Sequence, residues 1–511
     1  MAAVEAVSGG GGAHRPVYSS GYKSTVLSLL VTAYTLNFLD RTIIGTIGQA
    51  IKEDLRISDT QLGLLGGLYF ALLYTLLGIP IARLAERFNR VTIISTAILI
   101  WSGFTALCGT ATSFAQLALY RFGVGFGEAG LSPPAHSLIS DYYEPHKRAT
   151  ALAIYAFGIP MGTMLGAVIG GYLTQYFSWR AAFMLVGVPG VAIAVALKLV
   201  VKEPPRGCSE PQPHPTLPDD VVAEPKGAAE PFSLAHEFRE LAAVAKVLFL
   251  KWPVANMVLG VTLISFGGYG MTAFTAPYFI RTFGLDYAQV GLLTGLVGGF
   301  SAGVGTLLGG VVTDRLAAFS PRWYALTPAI GAVIAAPLYM LAYVQPSWQV
   351  AAAILLIPGV FLYIYLGPTF GVVQNMFDIR RRATATALLF FFINLVALGG
   401  GPPFTGLMID LFAQYAFTHP GDPGLAAALP NLFGQAAGPV DFAALCPGGR
   451  PAPGAAAELA GRCHDALAHG ARHGLLVTFG FFLWGALHYF LGAIGLTEAL
   501  AKARAERGEA A

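Results

Sequence analysis

The sequence predicts an all-α membrane protein with twelve transmembrane helices arranged as two six-helix halves. Three observations predict it. The 511-residue chain is 55% hydrophobic and only 12% charged, about half the charged share of a soluble domain. Apolar segments of roughly 20 residues, long enough to cross a bilayer, recur along its length. Short stretches of the first six segments also reappear, in order, among the last six.

Residues 1–23 lack an apolar core, so a flexible cytoplasmic N-terminus is expected and not a cleavable signal peptide. The first half, 24–201, holds apolar segments near 24–47, 59–82, 91–112, 115–140, 149–176 and 180–201. Residues 202–251 form a cytoplasmic linker. Its 203–232 stretch is rich in Pro and acid and is expected to be disordered. Residues 233–250 read as an amphipathic helix on the inner surface. The second half, 252–497, holds segments near 252–280, 287–312, 323–344, 347–376, 384–411 and 473–497. Residues 498–511 are a cytoplasmic tail.

With both termini cytoplasmic, most of the 31 basic residues fall at inner ends and inner loops, as membrane orientation demands. A miscounted helix would scramble that bias. The expected location is the plasma (bacterial inner) membrane. Loop 412–471 then lies outside the cell, where Cys446 and Cys463 are a candidate disulfide. Cys108 and Cys208 suggest no bridge. The net charge of +3, with no basic stripe, points away from a nucleic-acid partner. No Cys/His spacing suggests a metal, and no nucleophile–base pair suggests an enzyme. No cofactor is expected, and the chain is read as a monomer.

Four charges stand inside apolar segments: Asp40 and Arg41 in the first, Arg121 and Glu128 in the fourth. A charge at mid-membrane costs at least about 2.5–3.5 kcal/mol, so such residues face an internal cavity and mark a pathway. Arg121 and Glu128 are about two helical turns apart, nearly on one face, and are read as neighbours. Burial disfavours a charged Glu128 and Arg121 favours it, which poises the carboxyl to exchange a proton. The alternative is a permanent ion pair that braces the helix. Asp40 and Arg41 point about 100° apart and need separate partners. Asn37, one turn before Arg41, extends their polar strip. Arg41, Arg121 and Asn37 are candidate contacts for an anionic group, which a planar guanidinium binds with two parallel hydrogen bonds. Asp40 pairs with a basic group or titrates alongside Glu128. The alternative is that Asp40 and Arg41 lock the first helix to its neighbours.

The second half carries no acid in the cores of segments seven to ten. Its polar side chains (Asn256, Tyr269, Thr272, Thr275, Tyr363, Tyr365, Thr369, Gln374 and Asn394) stand among aromatic runs such as Phe390-Phe391-Phe392. A cavity charged on one wall and apolar on the other suits an amphipathic ligand. Two lookalikes are set aside. Gly125 to Gly130 fits G-x-G-x-x-G but lacks the strand–turn–helix setting of a dinucleotide site; these glycines permit close helix packing. His136, beside Pro133-Pro134, reads as a packing histidine.

The internal repeat pairs Gln61-Leu62-Gly63-Leu64-Leu65 with Gln289-Val290-Gly291-Leu292-Leu293, and Glu86-Arg87 with Asp314-Arg315, at one offset. Arg148-Ala149-Thr150-Ala151 likewise matches Arg382-Ala383-Thr384-Ala385. This parallel duplication places a substrate site between the halves near mid-membrane. Gly78-Ile79-Pro80-Ile81-Ala82-Arg83-Leu84-Ala85-Glu86-Arg87-Phe88-Asn89-Arg90 resembles the loop motif of the major facilitator superfamily, with Glu86 in place of Asp and Asn89 in place of Gly. The Arg121-to-Glu128 stretch resembles that superfamily's helix-four motif. The resemblance implies the major facilitator fold. A conformational latch is expected at Glu86, Arg87, Arg90, Asp141, Asp314 and Arg315, with the first-half members pairing with Asp141 and with the start of the eleventh helix.

A narrower resemblance is to the Spinster family. It rests on Asn37-Phe38-Leu39-Asp40-Arg41, Gly127-Glu128-Ala129-Gly130 and Pro133-Pro134-Ala135-His136-Ser137-Leu138-Ile139-Ser140-Asp141. It implies transport of lysophospholipids or sphingolipids, in some members coupled to protons. A proton-coupled symporter of small organic anions, a drug–proton antiporter and a non-transporting lipid receptor are the alternatives.

Overall fold

The computed structural model describes residues 4–5, 17–209, 234–377, 379–421 and 441–506. Apart from a two-residue ladder pairing Val4–Glu5 with Val17–Tyr18, the described residues are helical or loop. The first half contains α1 (Ser20–Leu55), α2 (Asp59–Gly66 and Leu68–Arg87), α3 (Arg90–Cys108), α4 (Phe114–Glu128 and Ser132–Tyr142), α5 (Pro145–Ala156 and Gly158–Tyr176) and α6 (Trp179–Val200). A surface helix, Leu234–Leu250, precedes the second half. There follow α7 (Trp252–Phe283), α8 (Tyr287–Ala317), α9 (Trp323–Tyr343) and the interrupted α10 (Trp348–Asn375). The second half ends with α11 (Ile379–Ile393, a π turn at Asn394–Leu398, then Gly399–Thr418) and α12 (Ala457–Ala493), before a short C-terminal helix, Leu496–Glu506.

Ten of these stretches are long and apolar enough to cross a membrane. The two that miss are the two that carry the intramembrane charges: α1 is too polar in composition, and α4 is broken directly after Glu128. The α4 break has a local cause. Its second segment opens with Ser132-Pro133-Pro134, and prolines cannot donate to the preceding turn.

The duplicated Gln61 and Gln289 have a structural explanation. Each is the third residue of a helix whose N-cap side chain and Gln side chain satisfy one another's backbone N–H: Ser58 with Gln61 opens α2, and Asp286 with Gln289 opens α8. Such reciprocal capping fixes where a helix starts.

The start of α1 and the short C-terminal helix lie on one face, called here the terminal face. Tyr22 at the start of α1 donates to Val200 O at the end of α6, and Arg504 shares a cleft with Asp314 and Tyr324 at the α8–α9 junction. The opposite, loop face carries the α11–α12 connection. There Cys446 and Cys463 form a disulfide. The helices run further than the apolar pattern suggested, α11 to Thr418 and α12 back to Ala457, so Cys463 sits on a helix. Gly448, at φ 71°, lets the turn after Cys446 press on α1, and Arg450 pairs with Glu53 at 2.7 Å.

The halves meet along three seams: α1 with α7, α2 with α11, and α5 with α8. The contact is tightest near the loop face. A Cβ on Gly63 would lie 2.3 Å from Pro402 O, and one on Gly291 2.4 Å from Ala167 O. Towards the terminal face α8 loses that contact, and Gly303 and Gly310 face open space. The surface helix buries Val244 and Leu248, one turn apart, and sets Phe249 against Phe392 of α11, rings 5.0 Å apart. The linker stretch 210–233 lies outside the described residues.

Candidate functional site

The four intramembrane charges converge between α1, α2, α3 and α4, but not in the pairing their spacing suggested. Glu128 is buried, and its Oε2 accepts from Nε of Arg41, not Arg121, at 2.6 Å. Arg121 turns to Asp40 instead, with Nη1 3.5 Å from Oδ1. The correction is geometric. Arg121 and Glu128 are on roughly one face of α4, but α1 packs beside that helix and offers an opposite charge to each. The 100° between Asp40 and Arg41 lets one α1 residue serve each partner. Asp40 is also held by the Thr105 hydroxyl of α3. Arg121 further donates through Nε to Leu65 O at 3.3 Å, two residues before the interruption of α2 at Gly67.

Aromatic rings set the guanidinium of Arg41. It lies over Phe38 and Phe70 at 5.0 Å each and over Tyr74 at 4.4 Å. Phe70 is shared, because Arg121 lies 5.3 Å from the same ring. Stacking of this kind favours Arg over Lys. The backbone allows it through glycine. A Cβ on Gly125 would fall 2.3 Å from Phe70 O, so α4 touches α2 at backbone distance. The G-x-G-x-x-G stretch is therefore helical packing, with no strand before it.

Two buried groups are left partly unsatisfied. Among the described residues Glu128 Oε1 has no hydrogen-bond partner, and neither does the side-chain amide of Asn37. Unsatisfied buried polar atoms cost about 1–3 kcal/mol each. Both residues flank Arg41, Asn37 from one turn earlier on α1. Tyr269 from the second half stands within electrostatic range of Arg41 and Tyr74. Four other second-half polar residues bond within that half. Tyr365 bonds Ser265 at 3.1 Å, Thr369 bonds Tyr489 at 2.5 Å, Thr275 bonds Tyr343 at 2.7 Å, and Asn256 bonds His488 at 2.9 Å. His136 packs edge-on against Tyr155 at 5.3 Å.

The six latch candidates do not form one cluster. Arg90 and Asp141 pair at 2.5 Å, and Arg90 also reaches Glu203 at 2.6 Å, Ser137 at 2.8 Å and Pro204 O at 3.1 Å. All of these belong to the first half and its trailing segment. Glu86 meets its neighbour Arg83, at 3.5 Å, and Arg87 and Arg315 are exposed. Asp314 meets Tyr324 at 3.5 Å. Among the described residues none of the six pairs across the halves or with the start of α11.

A cross-half ion cluster does exist, at the loop face, and the sequence reading missed it. Asp59, first residue of α2 and fully buried, receives Lys52 Nζ at 2.8 Å and the two Nη atoms of Arg281 at 2.6 and 3.0 Å. Arg281 Nε also donates to Gln49 at 2.7 Å. Asp410 of α11 accepts from the backbone N–H of Asp59 and Thr60 at 2.9 and 2.8 Å, and from the Thr60 hydroxyl at 2.7 Å. The cluster joins α1 and α2 to α7 and α11. The signal was present in the sequence. Lys52 and Arg281 stand just beyond the apolar stretches 24–47 and 252–280, Asp59 and Asp410 stand at the ends of 59–82 and 384–411, and the capping sequence Ser58-Asp59-Thr60-Gln61 opens a helix at Asp59.

The geometry is that of a carrier: intramembrane charges within the first of two similar halves, and an ion cluster that joins the halves at one face. Comparison with known proteins agrees. The family model of the Major Facilitator Superfamily matches residues 30–401. A solved structure, described as a bacterial homologue of the human lysosomal transporter Spinster in an inward-facing and occupied conformation, is 33% identical with a TM-score of 0.75. That match covers 93% of this chain and 98% of the other. An MFS-type efflux pump of Mycolicibacterium smegmatis is 31% identical over 75% of this chain and 84% of its own length. Protein spinster homolog 1 of Mus musculus is 28% identical over 77% and 74%. These relatives are transporters, not enzymes. The chain belongs to the major facilitator superfamily of membrane transporters and, within it, to the Spinster family.

Proposed function

We propose that the chain moves amphipathic anionic lipids, lysophospholipid or sphingolipid-like, by alternating access, and that Glu128 couples this movement to protons. One observation carries the reading. Glu128 is buried with one carboxylate oxygen on Arg41 and the other without a partner. When a lipid phosphate takes the fork of Arg41, Glu128 loses its counter-charge in a low-dielectric site and takes up a proton. Anion and proton therefore load together. Asp40 and Arg121 form a second pair that responds the same way, and Asn37 offers its unbonded amide to the head group. The aromatic second half accommodates the chain.

Both termini are read as cytoplasmic in a bacterial inner membrane, which makes the terminal face the inner one. The exposed Glu86, Arg87, Asp314 and Arg315 are then free to pair across the halves when that face closes, with Arg90 and Asp141 holding the loop in shape. The loop-face cluster is the opposing latch. The protein acts as a monomer.

The test is flux in proteoliposomes. A labelled lysophospholipid and a phosphorylated sphingoid base are followed with and without an imposed pH gradient, in the native chain and in Glu128→Gln. Gradient-driven flux, lost in Glu128→Gln with binding retained, is the expected result. Flux indifferent to pH and to Glu128 makes this residue a brace. A second reading is drug–proton antiport, favoured by the likeness to the mycobacterial efflux pump. It predicts movement of a cationic drug, and of neither lipid, against the proton gradient.

A further inference from the structure

A cleft of about 240 Å³ opens on the outside of the first half, away from the central charges. Leu84 of α2, Thr92, Thr96 and Ile100 of α3, Phe126 of α4 and Gly130 in the break of α4 line it. Its lining is almost wholly apolar. From Thr92 to Ile100 it follows α3 for about 12 Å, close to the depth of one hydrocarbon leaflet, about 15 Å. Its mouth at the terminal face is different. Lys198 of α6 is exposed and places Nζ 2.6 Å from the hydroxyl of Thr92, and Arg87 is exposed one turn beyond Leu84.

We propose that this cleft binds one acyl chain of an anionic bilayer phospholipid, with the phosphate held at Lys198. Depth, apolar lining and a cation at the interface match a resident lipid of that leaflet. The site backs the break in α4 that follows Glu128, so a bound chain wedges the outer side of the segment whose inner side carries the coupling carboxylate. Binding here is independent of what the carrier moves, because it is read without flux.

The experiment is native mass spectrometry of the full chain with phosphatidylglycerol or phosphatidylcholine, repeated on Thr96→Trp and Lys198→Gln. Thr96 is exposed, so the indole fills the cleft without entering the core, and Lys198→Gln leaves the packing intact. The native chain should prefer phosphatidylglycerol by about fivefold, the worth of one basic residue at a membrane surface. Lys198→Gln should erase that preference, and Thr96→Trp should lose both lipids. Equal binding of the two lipids by the native chain, or undiminished phosphatidylglycerol binding in both variants, overturns the proposal. So does displacement of the phospholipid by a lysophospholipid whose flux Thr96→Trp abolishes, since the cleft would then be the path of the substrate.

Discussion

Removing Arg281 should open the loop face. Its guanidinium spans both carboxylate oxygens of Asp59, and both side chains are almost wholly buried, at 2% and 0% exposure. Breaking a buried pair costs about 3–5 kcal/mol, because the remaining charge is left without compensation. In Arg281→Ala, Asp59 keeps Lys52 at 2.8 Å and water enters the gap, so about half of that cost should persist. A loss of ~2 kcal/mol from the closed-loop-face state alone shifts its population by about 30-fold. The readout is the distance between spin labels at Thr112→Cys on the α3–α4 loop and Pro346→Cys on the α9–α10 loop, in a background of Cys108→Ala and Cys208→Ala. Arg281→Ala should add a longer-distance population, and Arg281→Lys a smaller one. An unchanged distribution in Arg281→Ala would show that packing, not the ion cluster, seals this face.

Further outcomes follow from other contacts. Arg41→Lys should keep its charge yet lose its stacking over Phe38, Phe70 and Tyr74, weakening substrate binding by about tenfold as measured by titration in detergent. Gly125→Ala should overpack the α4–α2 contact and cost about 1–3 kcal/mol, visible as a lower melting temperature. Arg90→Ala strands Asp141 and Glu203; it should lower thermal stability more than Arg87→Ala, whose side chain is exposed. Cys446→Ser should lower the melting temperature by releasing the loop that Arg450 ties to Glu53, and reductant should do the same to the native chain but not to the variant.

Much of the architecture was legible because a membrane enforces it. Backbone groups must be satisfied within helices, so apolar length alone locates most spans. The capping pairs Ser58–Gln61 and Asp286–Gln289 left a repeated signature strong enough to reveal the duplication. The four intramembrane charges were legible for the same reason, since nothing but function or pairing keeps Asp40, Arg41, Arg121 and Glu128 in that setting. Their partners were not. Helical spacing reports which residues share a face of one helix, whereas pairing is decided by which helix packs alongside. Asp59 escaped notice because a charge at a segment end looks like solvated loop until a second half closes over it. The latch residues divided for a related reason: Arg90 is enclosed by α4 and the segment after α6, whereas Glu86 and Arg87 are exposed.

The seams between the halves differ in kind. Where α2 meets α7 and α11 the closed loop face is held by directional bonds: two nitrogens of Arg281 on Asp59, and two backbone N–H groups on Asp410. Along α5 and α8 it is held chiefly by near contact of smooth backbone, Gly171 against Tyr287 and Gly291 against Ala167, with one hydrogen bond from Tyr287 N–H to Gln175 at the rim. Directional bonds fail together once their geometry is lost, whereas smooth surfaces roll while staying in touch. The molecule thus behaves like a clasp on one side and a rocker bearing on the other. The clasp is buried, so salt reaches it little while it is shut; loss of one of its charges alters how often the door opens without altering the path along which it swings.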